Sequence, residues 1–426
     1  MKNILIITYP FYPLFHGGVP RIAKFCKYLP DYGWTPVLLT VDWHNVEHQY
    51  ATTNAADPCE VIRVPNRSAR RDLKRKAVCV LNYCVKWFRT IDDVVYSPDE
   101  KNLYKMGREL CKTRGFDVIL ASSFPQCVHR VARKLSNEFM IPWVADHRDI
   151  YGQAKNHFRG LRAWAAERDR IVGSWQDREN AKSAAEIVTV SEGLADRLRK
   201  RTGREINVIM NGYDDDDFGM AINNQIANDR MTIVYAGSFF GDSTLHIFMD
   251  GIERLLAKYP YIRDKIVIEF YGPCCFEYRD KIGADQLERI GKIIEWKGIV
   301  SHQESIQIIS RADALYFVSH PAKGIVTGKI FEYLRSGRPI ISVPGDGDIT
   351  DEILKRSGAG KTASTLESVE GLLKKWFDEW QEQGEIYQTR DEEYISQFSR
   401  RNLTGRLAGL LEELLAPESG QPGALL

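Results

Sequence analysis

The sequence carries almost no net charge: 58 lysines and arginines balance 57 aspartates and glutamates, a formal +1. That balance excludes nucleic-acid binding driven by global charge, while leaving room for a local basic patch. There is no C-x-x-C pair with a second such pair downstream. The eight cysteines, Cys26, Cys59, Cys79, Cys84, Cys111, Cys127, Cys274 and Cys275, are therefore read as reduced thiols and not as zinc ligands. No apolar run reaches the ~20 residues that span a bilayer. The longest outside the strands, "AVCVLNYCVKWF", is interrupted by Asn82 and Lys86. The N-terminal "MKNILIITYPFYP" breaks at Tyr9-Pro10 without a small-residue cleavage site, so it is read as a first strand and the protein as cytosolic. Also missing is a G-x-G-x-x-G after a strand, which argues against a nicotinamide dehydrogenase.

What is present is the composition of a globular protein, with 44% hydrophobic and 27% charged residues over 426 positions. A chain of that length implies two domains of roughly 150 to 200 residues. "NILIIT", "PVLLT", "VIRV", "DVILA", "WVAD" and "EIVTV" are short β-rich runs without polar alternation, separated by helical stretches such as "RIAKFCKYL" and "HRVARKL". Strands of that kind indicate a parallel sheet covered on both faces. The grammar restarts with "TIVYAG", "VIEFYG", "IIEWKG", "DALYFV" and "RPIISV". The expectation is an α/β protein of two doubly wound, Rossmann-like domains, residues 1–205 and 206–390, with the boundary near "VIMNGYDDDDF". In residues 391–426, Leu403, Leu407, Leu410, Leu411 and Leu414 recur at helical spacing, which predicts an amphipathic helix and a frayed tail.

Ligands of open α/β sheets bind beyond the carboxyl ends of the strands. At such ends lie four candidate segments. Gly17 and Gly18 precede the first helix, where glycines let backbone amides approach an anion, although a lone Gly-Gly is also an ordinary turn. "WVAD" runs into "HRDIYG", which sets Asp146, His147, Arg148 and Asp149 together at a strand's carboxyl end. Gly237 and Ser238 close "VYAGS", where a phosphate loop or a simple turn belongs. In "TGKIFEYLRSGRPIISV" a short helix ends at Gly337, and Thr327, Gly328 and Lys329 offer amides at its start. Glu332, one turn on, carries two carboxylate oxygens that match the vicinal diol of a ribose. A solvated Lys329–Glu332 pair is the plainer alternative. The four acids of "NGYDDDDF" lack the alternating spacing of a calcium loop and read as a solvated linker, so no metal is called for.

In order, "FHGGVPRIAKFCKYLPDYGWTPVLLT", "ASSFPQCVHRVARKL", "PWVADHRDIYG", "EIVTVSEGLADRL", "VIMNGYDDDDF", "IVYAGSF", "IEFYGP", "WKGIVSHQESIQIISRADAL" and "GKIFEYLRSGRPII" resemble the landmarks of family 4 retaining glycosyltransferases of GT-B fold. The branch most resembled builds bacterial surface polysaccharides. The resemblance spans about residues 3–415 and implies two Rossmann-like domains facing a central cleft, with the nucleotide in the second, the acceptor in the first, and the last helix crossing back to the first. By position, Glu332 matches the second glutamate of the family's E-x7-E motif, and Lys329 the lysine of its K-x-x-E-Y variant. Gly324 stands where the first glutamate, which contacts the donor sugar, would fall. Val300 matches the residue whose backbone meets the base, and Asp146, Arg148 and Asp149 match the branch's D-x-R-D signature, from which a catalytic role is inferred for the three. The basic residues that usually hold the diphosphate after "AGS" are absent from "FFGDSTL".

What the resemblance implies is transfer of a hexosyl or N-acetylhexosaminyl group from a nucleoside-diphosphate sugar to a glycan or lipid-linked acceptor, with no metal or other cofactor required. Two alternatives stay open: a non-catalytic GT-B subunit that binds nucleotide, and a sugar-nucleotide epimerase. Residues 67–89, "RSARRDLKRKAVCVLNYCVKWFR", place six basic residues within ten positions ahead of an apolar stretch with Trp87 and Phe88. Anionic lipid attracts such segments by roughly 1 kcal/mol per charge, against the alternative of a solvated helix with a buried face. The expectation is co-sedimentation with anionic vesicles at low salt, reversed by high salt; protein that stays in the supernatant at low salt excludes this contact with the inner face of the plasma membrane.

Overall fold

A computed structural model of the chain describes residues 1–14, 17–44, 55–68, 90, 95–151, 161–219, 228–237, 244–273, 279, 282–320 and 322–416. The basic-apolar segment therefore lies outside the described residues from 69 to 89, as do Ser238 and the tail after 416. Among the described residues no helix is long and apolar enough to cross a membrane.

Two compact units are formed, one by Met1–Asn211 together with Arg400–Leu426, the other by Gly212–Ser399. The first holds a parallel sheet of seven strands: β1 (Lys2–Thr8), β2 (Trp34–Val41), β3 (Glu60–Val64), β4 (Val118–Ser123), β5 (Trp143–His147), β6 (Glu186–Thr189) and β7 (Asn207–Val208). Their spatial order is β3-β2-β1-β4-β5-β6-β7. The second unit holds β8 (Met231–Ala236), β9 (Ile266–Tyr271), β10 (Ile294–Gly298), β11 (Ala314–Phe317), β12 (Ile340–Ser342) and β13 (Gly360–Thr362), ordered β10-β9-β8-β11-β12-β13. In each parallel sheet the strand order reverses once, between β1 and β4 and between β8 and β11. Loops leaving those neighbouring strands diverge to opposite faces, and the crevice between them is where open sheets bind ligands.

The apolar runs form strands because both faces are covered. Ile4, Leu5, Ile6 and Ile7 of β1 are all fully buried, which a one-sided sheet would not require. Four helices carry or brace the candidate residues: α1 (Val19–Tyr28), α2 (Cys127–Phe139), α3 (His302–Arg311) and α4 (Lys329–Ser336). A fifth, α5 (Arg400–Leu415), sets Leu403, Leu407, Ala408 and Leu411 into one buried cluster with Val19, Ile22 and Phe25 of α1. Polar contacts seat it on the same unit: the Tyr32 hydroxyl donates to the Arg401 carbonyl at 3.0 Å, and Lys2–Glu412 and Arg401–Asp31 are ion pairs.

Candidate functional site

In the Gly212–Ser399 unit the site is built on two helix starts. Ser301 caps α3, its hydroxyl accepting from the Glu304 amide while the Glu304 carboxylate accepts from the Ser301 amide. That reciprocal cap fixes His302 in the first helical turn, and Ser305 follows one turn on. Across from them, α4 begins without a side-chain cap. Its first turn carries Lys329 and Glu332, whose ammonium and Oε2 lie 3.0 Å apart. The other carboxylate oxygen lies 3.0 Å from His302 Nε2, and Lys329 Nζ also reaches Ser305 Oγ at 3.5 Å. Burial alone would push the Glu332 carboxyl up; the Lys329 charge and the His302 bond more than offset it and hold the group at about 2. Glu332 is therefore a permanent carboxylate, with 20% of its side chain open to solvent.

The neighbouring strand ends crowd together around this position. Tyr333, next to Glu332 and fully buried, accepts from the Ala236 amide at 2.8 Å, which ties α4 to the end of β8. Gly237 follows and donates its amide to the Tyr271 carbonyl at 3.0 Å. A Cβ on Gly272, whose φ is +131°, would sit 2.0 Å from the Gly237 carbonyl oxygen, so only glycine allows this approach. Val300 is half-buried just ahead of the α3 cap. Gly324 is buried with φ +80°, and its amide donates to Asp348 Oδ2 at 2.6 Å. A glutamate there would be strained in the left-handed region, and the carboxylate that reaches position 324 is that of Asp348. Within the acidic run, Asp214 caps the single turn Asp215–Phe218 and Asp215 pairs with Arg335 at 2.6 Å.

In the other unit the D-x-R-D residues separate by direction. Asp146 is buried at the end of β5 and takes a two-point contact from Arg21 of α1, at 2.9 and 3.1 Å, plus the Ser122 hydroxyl at 2.7 Å. Burial raises its carboxyl, but Arg21 outweighs this and leaves it below the usual range. Arg148 turns inward as well, 8% exposed, donating to the carbonyls of Ser123 at 2.5 Å and Phe124 at 3.2 Å. Its Nη1 is buried without a partner and lies where a Cβ on Gly18 would be, 1.5 Å away. Gly18 is the N-terminal flank of α1, which no side chain caps, and Gly17 beside it is exposed. A guanidinium against the positive end of a helix dipole favours an anion there. Asp149 alone of the signature is exposed.

The structure thus gathers Lys329 and Glu332 with His302 and Ser305, and Gly18 with Arg148. Sequence reasoning passed over His302, although the S-x-x-E capping pattern at Ser301–Glu304 was a signal for a helix starting there. It named His147 but passed over His129 and Asp177, buried with it behind Asp146. There His129 and His147 lie ring to ring at 4.5 Å. Asp177 joins Gln126 at 2.7 Å and Arg201 at 2.9 Å. Burial depresses the two imidazoles to about 3 for His129 and about 4 for His147.

No protein-family profile and no curated protein matches the sequence. Solved structures do match in shape. Sucrose-phosphate synthase of Thermosynechococcus elongatus superimposes with a TM-score of 0.64 at 13% identity, covering 98% of this chain and 100% of that one. A glycosyltransferase from Rickettsia africae gives 0.61 at 12% identity, covering 97% and 99%. Anabaena HepE in complex with UDP-glucose gives 0.58 at 14% identity, covering 97% and 100%. At such identities the likeness is one of fold, and the fold is GT-B.

Both histidines are neutral in the folded state, whereas an unfolded histidine takes up a proton near pH 6.5. Their contribution is therefore complete above about pH 6.5 and is lost as pH falls toward the depressed folded values. Asp177 pulls the other way, because burial pushes its carboxyl up. Urea unfolding at about pH 7.5 and about pH 5 should show a loss of on the order of 2 kcal/mol per histidine, an upper value given Asp177. Equal stability at both values would mean that the two imidazoles protonate as freely in the fold as outside it.

Proposed function

We propose that the chain is a retaining glycosyltransferase that moves a hexosyl or N-acetylhexosaminyl group from a nucleoside-diphosphate sugar to a glycan or lipid-linked acceptor in surface polysaccharide assembly (capsule, O-antigen or exopolysaccharide). The observation that carries this reading is Glu332: a permanent carboxylate, partly open to solvent, on the first turn of an uncapped helix at the reversal point of its sheet. Each carboxylate oxygen has lone pairs beyond those used by Lys329 and His302, so a ribose diol can add its two hydroxyls. The amides of Thr327 and Gly328 and the Lys329 ammonium then face the diphosphate. HepE, of the same fold, was solved with UDP-glucose and with UDP, which makes UDP the first probe.

In the reaction the bond from the sugar's anomeric carbon to the diphosphate oxygen breaks as the acceptor hydroxyl attacks on the same face. The leaving phosphate collects the electron pair and takes the hydroxyl's proton. Positioned amides and a cation lower the barrier by stabilising charge on the departing oxygens. A non-catalytic nucleotide-binding subunit is the second reading. It is favoured by Gly324, whose left-handed backbone leaves the place of a sugar-binding glutamate without a side chain.

Hydrogen bonds to a charged group are worth about 1.5 to 3 kcal/mol, so Glu332→Ala should weaken UDP binding roughly tenfold to a hundredfold. The 2′,3′-dideoxy nucleotide should bind wild type as weakly as UDP binds the variant. Identical affinities for both nucleotides in both proteins would make Glu332 a plain surface charge.

Asp149 supplies a separate test in the other unit. Asp149→Asn should lower kcat by roughly tenfold or more while leaving UDP affinity unchanged, which donor turnover with and without candidate acceptors would measure. Wild-type turnover in this variant removes Asp149 from the site; no turnover by wild type with any acceptor favours the non-catalytic reading.

A further inference from the structure

The turn that ends α4 lines a separate cavity, a cleft of about 340 Å³ bounded by Asp313, Arg335, Arg338, Glu385, Gln388 and Arg390. Asp313 precedes β11 and Pro339 precedes β12, so the cleft opens at the amino ends of these strands, away from the end that carries Glu332. Its size is at the lower end of the ~300–1,000 Å³ range of small-molecule sites.

The polar groups of the cleft are incompletely satisfied. Arg335 is paired with Asp215 at 2.6 Å. Arg390 pairs through Nε with Glu392 at 2.6 Å and donates Nη2 to the Leu334 carbonyl at 2.6 Å, but its Nη1 is buried without a partner. Half-buried Arg338 donates Nε to the Ser310 carbonyl at 2.8 Å; the charges of Asp313 and Glu385 act on it from within the cleft, but among the described residues no carboxylate comes within ion-pair distance of it. Gln388 donates Nε2 to the Gly337 carbonyl at 3.1 Å, while its Oε1 is buried and unbonded. Of the acids nearby, Asp313 accepts from the Thr232 amide and Asn228 through Oδ2, and Glu392 pairs with Arg390. Glu385 is exposed at the rim.

Capping of α4 explains Arg390 Nη2 and Gln388 Nε2. It does not explain the three groups left over: a guanidinium without a direct ion pair, a buried N–H and a buried carbonyl oxygen. Unmatched buried polar groups are costly, and these three call for an oxyanion beside a hydroxyl donor. We propose that the cleft binds a small phosphate monoester bearing hydroxyls, of hexose-phosphate size, with its phosphoryl oxygens on Arg338 and Arg390 Nη1 and a hydroxyl donating to Gln388 Oε1. Planar guanidinium groups suit phosphoryl oxygens better than ammonium does. The site is distinct from the one proposed for nucleotide.

Isothermal titration of the full chain with glucose 6-phosphate, inorganic phosphate and glucose tests this. Glucose 6-phosphate should bind at least tenfold more tightly than either of the others. Arg338→Gln should lower affinity for glucose 6-phosphate and phosphate by tenfold or more. Gln388→Ala should weaken glucose 6-phosphate but leave phosphate as in wild type, and Glu332→Ala should change neither. Should Arg338→Gln fail to fold, Arg338→Lys, which keeps the charge and loses the planar fork, should still weaken glucose 6-phosphate several-fold. Absence of heat with glucose 6-phosphate up to about 10 mM, a Kd scale at which binding is worth under ~3 kcal/mol, would overturn the proposal. So would binding that survives substitution of Arg338 but is lost in Glu332→Ala, since the ligand would then occupy the α4 start.

Discussion

A carboxylate taken fully out of water must be matched, and the Arg21–Asp146 pair is the contact around which the first unit is arranged. Both side chains are 1% exposed. Such a pair adds little net stability over a well-packed apolar substitute, but losing one partner strands a charge and costs about 3 to 5 kcal/mol. Its value lies in geometry. Arg21 also donates to the carbonyls of Ile209 and Met210, at 2.7 and 3.1 Å, so one guanidinium ties α1, the end of β5 and the exit from β7 together. With α1 fixed, Gly18 is fixed, and with β5 fixed so is Arg148. The close approach of the Arg148 guanidinium to Gly18 is a product of that bracing.

The second unit solves a similar problem with less burial. Its candidate carboxylate, Glu332, keeps some contact with water and is held by two neighbours, Lys329 and His302. The bracing is done by Tyr333, whose buried hydroxyl takes the Ala236 amide. Position 333 cannot be a phenylalanine without leaving that amide unbonded in the interior. Adjacent residues of α4 thus divide their labour, since one turn of helix points Glu332 outward and Tyr333 into the core.

Much of this was legible in the sequence, and the parts that were not have a common cause. Unbroken apolar runs read directly as strands buried on both faces, and an i, i+3 spacing put Lys329 beside Glu332. Both are local periodicities. His302 lies 30 residues from Glu332 and Arg148 lies 130 from Gly18, separations at which no periodicity operates. Only the order of strands brings them together, and that order depends on which crossovers the chain takes. The capping box at Ser301 was a readable local signal whose importance depended on the unseen partner. The absence of a glutamate at position 324 was equally plain, but not that its backbone is left-handed or that Asp348 caps its amide.

In the proposed nucleotide complex Lys329 would have two claimants, and their competition would link the parts of the site. Without ligand, its ammonium sits on Glu332 and is shielded by it. A diphosphate bound there as proposed would carry more charge than a carboxylate and receive the helix amides as well, so it would draw the ammonium away. Glu332 would then lose one of its two hydrogen-bond partners and free lone pairs for two ribose hydroxyls, while His302 would keep the carboxylate oriented. On that proposal, phosphate and ribose contacts would reinforce each other through a single lysine without the two carboxylate oxygens touching the diphosphate. Arginine would serve this exchange less well: its planar fork would hold the Glu332 carboxylate in a two-point grip, whereas the compact ammonium can swing between partners on its flexible stem.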